Sequence, residues 1–153
     1  MSILDYWYFK SSPRDIQVEA LEWLEQQDAK YLILEAPVGS GKSLIGATYS
    51  RYCANSKTKG DANFLTPQRI LQAQYEDTFS KKDMFSLYGK SNYVCTRKNT
   101  NCSIGSIGKG CKGCEYEAAK KSAMVAPNAV LNYKLGLSLF SYVPKFTARK
   151  RPL

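Results

Sequence analysis

The sequence has no apolar run long enough to cross a lipid bilayer, which takes about 20 residues,. Its first residues also lack the basic and then apolar segments of a secretory signal,. Both absences favour an intracellular protein without a membrane partner. The 153 residues are 44% hydrophobic and 12% aromatic, which is enough for one folded core and a small appended module,.

Acidic residues are also missing from the C-terminal part, where no Asp or Glu follows Glu117. The basic residues of that part are Lys120, Lys121, Lys134, Lys145, Arg149, Lys150 and Arg151. The whole chain carries a formal net charge of +9. Because clustered Lys and Arg neutralise phosphates, this distribution favours nucleic acid as a partner. A solvated face with a basic tail would explain the same charges and stays open.

A phosphate-binding loop is predicted at residues 36–43, Ala-Pro-Val-Gly-Ser-Gly-Lys-Ser. Its ending has the form of a Walker A loop, with Ala36 in place of the first glycine. In such loops, backbone N–H groups face the phosphates, the lysine contacts the β- and γ-phosphates, and the hydroxyl binds Mg²⁺. The predicted nucleotide-binding residues are Pro37, Gly39, Ser40, Gly41, Lys42 and Ser43, and the last two are also assigned to catalysis. A plain Gly/Ser turn is the alternative.

The apolar pattern around this loop predicts an alternation of strands and helices. A strand is expected at residues 31–34 before the loop, and a helix from 44 to about 53 after it. Further helices are expected at 13–27, 67–79 and 116–124, with a polar loop at 55–61, a strand at 63–66 and a strand-like stretch at 124–126. Such an order predicts a right-handed parallel α/β unit whose strands end at a ligand crevice.

Two more sites are indicated outside the loop. Arg14 and Gln17 form an Arg-x-x-Gln pair about 25 residues before Lys42, and a glutamine amide can both donate to and accept from an adenine edge. An exposed polar pair is the alternative. Thr66 ends the second predicted strand, so its hydroxyl and the next helix N-terminus are expected to hold a nucleic-acid phosphate.

Four cysteines follow the pattern C-x6-C-x8-C-x2-C, and they are Cys95, Cys102, Cys111 and Cys114. In an intracellular chain this pattern predicts metal ligands rather than disulfides. The polar segment between them has no core of its own and needs a bound metal to stabilise its fold. Zn²⁺ and a [4Fe–4S] cluster both suit four thiolates, and unligated thiols stay open. Basic neighbours that would offset the thiolate charge and contact phosphates are Arg97, Lys98, Lys109 and Lys112.

Together these motifs resemble the iron–sulfur superfamily-two DNA helicases of the XPD/DinG type, particularly their phage-like members. The residues that carry the likeness are Arg14 and Gln17 for the Q motif, 35–43 for motif I, Thr66, Leu71 and Gln74 for motif Ia, 89–95 for the entry to the cluster domain, and 126–133 for the return to the first lobe. Gln68 departs from the family, which often has a threonine at that position.

This resemblance implies an α/β fold in three parts. Residues 1–80 would begin a RecA-like P-loop NTPase lobe with a parallel sheet, 81–122 would form an inserted cysteine-rich cluster domain, and 123–153 would return to the lobe and end in a basic tail. It also implies a 5′-to-3′ DNA helicase of DNA repair that uses ATP, Mg²⁺ and a [4Fe–4S] cluster on single-stranded or forked DNA. The expected nucleic-acid contacts are Thr66, Gln74, Arg97 and Lys98.

The family continues with a D-E-A-H motif and a second lobe, whereas no carboxylate follows Glu117 in this chain. We therefore expect the N-terminal portion of such a helicase, which would bind ATP, turn it over poorly and depend on a remaining C-terminal part. Two rival functions fit the same motifs. One is a zinc-stabilised nucleic-acid-binding module without motor activity, and the other is a P-loop kinase or regulatory ATPase acting on a small molecule.

Overall fold

The computed structural model describes residues 1–55, 62–95, 98–105 and 113–147. The chain forms two compact units, Met1–Asp61 and Ala62–Leu153, and each contains its own cluster of buried apolar side chains. Nearly all of the predicted loop at 55–61 lies outside the described residues. Among the described helices, none combines the length and apolar character that a membrane span requires.

The first unit contains a short 3₁₀ helix (Ile3–Tyr6) and two α-helices, α1 (Asp15–Glu25) and α2 (Lys42–Asn55). Its core consists of Ile3, Leu21, Leu24 and Ile45, which pack together from all three helices. The helices predicted at 13–27 and 44–53 are therefore confirmed, although Ile16 and Trp23 of α1 are exposed and do not join this core,.

The predicted strand at 31–34 is wrong, because residues 31–37 have no regular secondary structure. Tyr31 and Ile33 are 75% and 91% exposed. A strand exists only through hydrogen bonds to a neighbouring strand, and every described strand pair lies within residues 62–132. The apolar run thus indicated an extended segment, but it gave no information about a neighbouring strand with which this segment could pair.

The second unit is built on a three-stranded parallel sheet. Its elements in chain order are β1 (Ala62–Thr66), α3 (Arg69–Thr78), β2 (Met84–Leu87), a 3₁₀ turn (Lys90–Asn92), β3 (Val94–Cys95), β4 (Thr100–Asn101), α4 (Cys102–Gly105), α5 (Glu115–Val125), β5 (Asn128–Asn132), α6 (Tyr133–Tyr142) and α7 (Pro144–Thr147). The sheet order is β1-β5-β2, and β3 and β4 form a separate antiparallel pair. The predicted parallel α/β class is confirmed for the described residues, as are the strand at 63–66 and the helices at 67–79 and 116–124.

Two parts of this unit differ from the sequence expectation. The strand-like stretch at 124–126 is wrong, because α5 continues to Val125 and the strand begins at Asn128. Pro127 has no N–H and disfavours helix in the residue before it, so it separates the two elements. Strand β2 was not predicted at all. It lies inside the range 81–122 assigned to the cysteine-rich insertion, yet it pairs with β5 in the main sheet.

Buried Gln72 connects the sheet to α3. Its side chain is fully buried, and its Nε2 donates to the carbonyl oxygens of Leu87 and Val130, both at 3.2 Å. These carbonyls belong to β2 and β5, the edge and central strands. One amide therefore holds two neighbouring strands against the helix that covers them.

We expect Gln72→Ala to lower the free energy of unfolding by about 2 kcal/mol, because two buried carbonyls lose a donor and a cavity opens. Gln74→Ala is the matched control, since Gln74 is exposed on the same helix, and it should change stability by less than about 0.5 kcal/mol. Chemical denaturation measures both variants. Equal effects would show that Gln72 does not connect the strands.

Candidate functional site

The backbone of the phosphate-binding loop needs glycine at two positions. Gly39 and Gly41 have φ angles of +81° and +85°. Glycine adopts these left-handed values without the steric cost that a Cβ brings. Between them, the Ser40 N–H donates to the carbonyl of Pro37 at 3.3 Å and closes a tight turn. The glycines of the Walker pattern are thus explained by the conformation of the loop.

Lys42 and Ser43 end the loop and stand in the first turn of α2, and both are exposed. The Lys42 ammonium donates to the carbonyls of Ala36 and Pro37, each at 2.8 Å, so it folds back across the loop. The helix behind it has 14 residues, and its N-terminal partial positive charge adds to the lysine charge,. The loop therefore presents a cation, a helix N-terminus and a hydroxyl together.

The Ser40 hydroxyl provides a test of whether the loop suits a polar ligand. The residue is 6% exposed, and its Oγ has no hydrogen-bond partner among the described residues. A buried hydroxyl without a partner is costly unless a ligand or water satisfies it. The donor set of the loop thus fits nucleotide phosphates, and Ser43 fits Mg²⁺, which prefers oxygen ligands.

Arg14 and Gln17 lie directly against the loop. The Arg14 guanidinium donates from Nη2 to the Gly39 carbonyl at 2.8 Å, and Gln17 Nε2 donates to the Ser40 carbonyl at 3.0 Å. The other end of the Gln17 amide accepts from the Arg14 backbone N–H at 3.0 Å. The structure therefore brings this predicted pair to the loop, but through backbone carbonyls.

The predicted nucleic-acid residues lie in different environments. Thr66 is 5% exposed, and its Oγ1 lies 3.2 Å from the Gln68 carbonyl and 3.5 Å from the Leu131 carbonyl. Its hydroxyl is thus engaged by backbone at the strand end. Gln74 and Lys98 are exposed, and Arg97 lies outside the described residues.

A polar crevice of about 380 Å³ opens in the second unit where β2 and β5 end. We call it the carboxyl-edge crevice, and its lining residues are Arg69, Gly89, Ser91, Asn92, Asn132, Lys134, Leu135 and Ser138. Its described lining thus contains two cations and no carboxylate. Sequence reasoning gave Arg69 no role and counted Lys134 only among the basic residues, although each stands in the first turn of a helix that follows a sheet strand, where the ligand crevice of a parallel sheet is expected,.

Arg69 packs against an aromatic ring beside the crevice. Its guanidinium lies 5.7 Å from the centre of the Tyr88 ring, and the Tyr88 hydroxyl donates to Glu76 at 3.0 Å. Burial raises the pKa of Tyr88 to about 12, and the hydrogen bond to Glu76 adds to this shift. The phenol is neutral near pH 7, as an ordinary tyrosine also is, and it lies between Arg69 and the carboxyl group of Glu76,.

The structure shows no metal centre among the described cysteines. Cys95 and Cys102 are buried and Cys114 is half-buried, whereas Cys111 lies outside the described residues. In the parts of the chain that the structure describes, no three His, Cys, Asp or Glu side chains gather as metal ligands would. Cys102 instead belongs to the core cluster of the second unit, and Cys114 packs against it. The four-thiolate site stays a prediction from spacing.

The loop and the helix that follows it have the form of a P-loop nucleotide-binding site, and the parallel sheet is typical of proteins that carry such a site. A family model described as ResIII, type III restriction enzyme, res subunit, matches residues 10–126, and the chain belongs to this family. No curated protein and no solved structure matches the chain. The resemblance is thus confirmed at the level of helicase-like proteins, and its XPD/DinG iron–sulfur type stays a prediction.

Proposed function

We propose that the chain binds ATP and nucleic acid as part of an ATP-dependent nucleic-acid motor. The observation that carries this proposal is the loop at 36–43, where left-handed Gly39 and Gly41 lead into a helix that begins at Lys42. The family match supports the same reading. Bound Mg²⁺-ATP would supply the phosphoryl group and the free energy of movement.

Different groups of the loop would contact different parts of Mg²⁺-ATP. Backbone N–H groups near Gly41 would face the phosphate oxygens, and Ser43 would offer its hydroxyl to Mg²⁺. Lys42 would exchange its two carbonyl acceptors for the charged oxygens of the β- and γ-phosphates. This exchange is favourable because the ammonium then meets oxygens with full negative charge, whereas a carbonyl offers only a dipole.

We expect Lys42→Ala to weaken ATP binding at least about tenfold, because the phosphates lose a charge-assisted contact. Titration of a fluorescent ATP analogue in the presence of Mg²⁺ measures the affinity. Lys30→Ala removes an equal charge from the same unit at an exposed position beside Tyr31 and serves as the control. Wild-type affinity in the Lys42 variant would contradict the assignment of the loop.

The carboxyl-edge crevice is proposed as the nucleic-acid contact of the second unit. Its Arg69 and Lys134 are exposed cations at the ends of parallel strands, which is where ligands of open α/β sheets bind,. Phosphate oxygens suit such cations and the polar groups beside them. Because the Thr66 hydroxyl is engaged by backbone, we assign its expected phosphate contact to Arg69 and Lys134, with exposed Gln74 and Lys98 as further proposed contacts.

We expect Arg69→Ala and Lys134→Ala each to weaken binding of a single-stranded oligonucleotide and to reduce the slope of log K against log salt by roughly 1. Fluorescence anisotropy at several salt concentrations gives this slope. Lys82→Ala is the charge-matched control. Lys82 precedes the start of β2, so it lies at the amino ends of the parallel strands, away from the crevice at their carboxyl ends. Binding without salt dependence would favour the rival small-molecule kinase.

The finer proposal is a 5′-to-3′ DNA helicase with a metal-stabilised cysteine segment. The metal is supported by the spacing of Cys95, Cys102, Cys111 and Cys114, and the polarity only by the resemblance to the XPD/DinG helicases. Zinc in place of a [4Fe–4S] cluster would instead favour the nucleic-acid-binding module. No step of the proposed binding depends on this metal.

We expect anaerobically purified protein to be brown, with broad visible absorption and bound iron, and Cys114→Ser to lose both. Cys53→Ser is the control, because Cys53 is buried in α2 and is not one of the four cysteines of the pattern. A colourless protein with stoichiometric zinc would identify the other metal. Protein without either metal would contradict the metal site.

A further inference from the structure

We infer that the second unit holds one unpaired nucleobase in an apolar pocket beside the carboxyl-edge crevice, where the ring of Tyr133 is its stacking surface. This inference deepens the proposed nucleic-acid contact and rests on it, because the crevice would hold phosphates of the same strand. It makes the ligand a single strand, since a base of a duplex would first have to leave its pair and its stack.

The pocket has a volume of about 240 Å³ and lies where β1, an edge strand of the sheet, meets helix α6. Its lining residues are Asn63 and Leu65 of β1 and Tyr133 and Phe140 of α6. Two of these four side chains are aromatic, and none of the four is acidic or basic. Such a lining suits a neutral, planar ring and offers no cation to a phosphate.

The pocket and the crevice use neighbouring stripes of one helix. Since an α-helix turns by about 100° per residue, Tyr133, Leu137 and Phe140, at i, i+4 and i+7, share one stripe,. Lys134 and Ser138 line the crevice and form the next stripe around the helix. A ring that suits a base and a cation that suits a phosphate therefore lie side by side at the start of α6.

The Tyr133 ring is accessible, and the pocket beside it is held by the packing of the unit. Tyr133 is 50% exposed. A Cβ built on Gly136 would lie 2.6 Å from Leu65 Cδ2, so the absence of a side chain at Gly136 lets α6 approach β1 closely. Leu65 also packs against the core cluster of the unit. A base would thus enter a pocket that is already formed, which lowers the entropic cost of binding.

The different character of the two regions identifies the ligand. Arg69 and Lys134 attract polyanions in general, whereas the pocket favours an uncharged ring. A single-stranded nucleic acid presents both groups in every nucleotide, one phosphate and one base. Stacking on an aromatic side chain tolerates any sequence, because every base has a π-face. The pocket is therefore specific for an unpaired base, whatever its identity.

We expect Tyr133→Ala to weaken binding of a labelled oligothymidylate of about 12 nucleotides by about tenfold, because one stacking contact is lost. The slope of log K against log salt should stay at the wild-type value, since no charge is removed. Binding of an abasic strand and of a duplex of the same length should not change. Fluorescence anisotropy with the three probes measures these affinities.

Three further variants make the result specific to the ring. Tyr133→Trp should keep the wild-type affinity, and Tyr133→Leu, which retains apolar bulk without a ring, should show the same loss as Tyr133→Ala. Tyr142→Ala is the matched control, because Tyr142 is 83% exposed on the opposite side of α6 and should leave all affinities unchanged,. An equal loss for the abasic strand, an equal loss in Tyr142→Ala, or unchanged oligothymidylate binding in Tyr133→Leu would overturn the inference.

The crevice variants separate this inference from the proposed function. If Arg69→Ala weakens oligothymidylate binding and Tyr133→Ala and Tyr133→Leu do not, the pocket holds no base and the proposed phosphate contact stands. If the wild type binds none of the three probes, the proposed nucleic-acid contact fails and the base pocket fails with it.

Discussion

The hydrogen bond from the Gln17 amide to the Ser40 carbonyl is the contact on which the geometry of the first unit depends. It joins α1 to a loop 23 residues later, and it fixes a peptide next to Gly41. Because α1 is held by the core of Leu21, Leu24 and Ile45, the rigidity of that core extends to the loop. A preorganised loop loses less conformational entropy when a ligand binds.

In the second unit, the order of strands and helices decides which side chains lie together. Its parallel strands end at one edge, so the helices that follow them begin at that edge. Arg69 and Lys134 therefore lie near each other although they are far apart in the chain. Gln72 supports this arrangement from inside the sheet by holding β2 and β5 together. The positive charge of the crevice is thus a consequence of topology.

Much of this arrangement could be predicted from the sequence, because it depends on local patterns. The Walker ending located the loop and the left-handed glycines, and apolar periodicity located α1, α2, β1, α3 and α5. Pairing between strands is not a local property. For this reason residues 31–34 were assigned to a strand that the unit does not form, and β2 was missed, since Met84–Leu87 is short and shows no alternation,.

The role of individual polar residues was harder to predict than their location. Gln17 was identified by motif spacing and Thr66 as the end of a predicted strand; the structure places Gln17 beside the loop and Thr66 at the end of β1. Their side chains are nevertheless bound to backbone carbonyls, a fact that spacing cannot reveal because burial is decided by distant packing,. A buried polar side chain in a binding motif therefore acts first on its own chain. Among the described residues, the side chains that we propose to meet a phosphate directly are exposed cations, Lys42 in the loop and Arg69 and Lys134 at the carboxyl ends of the strands.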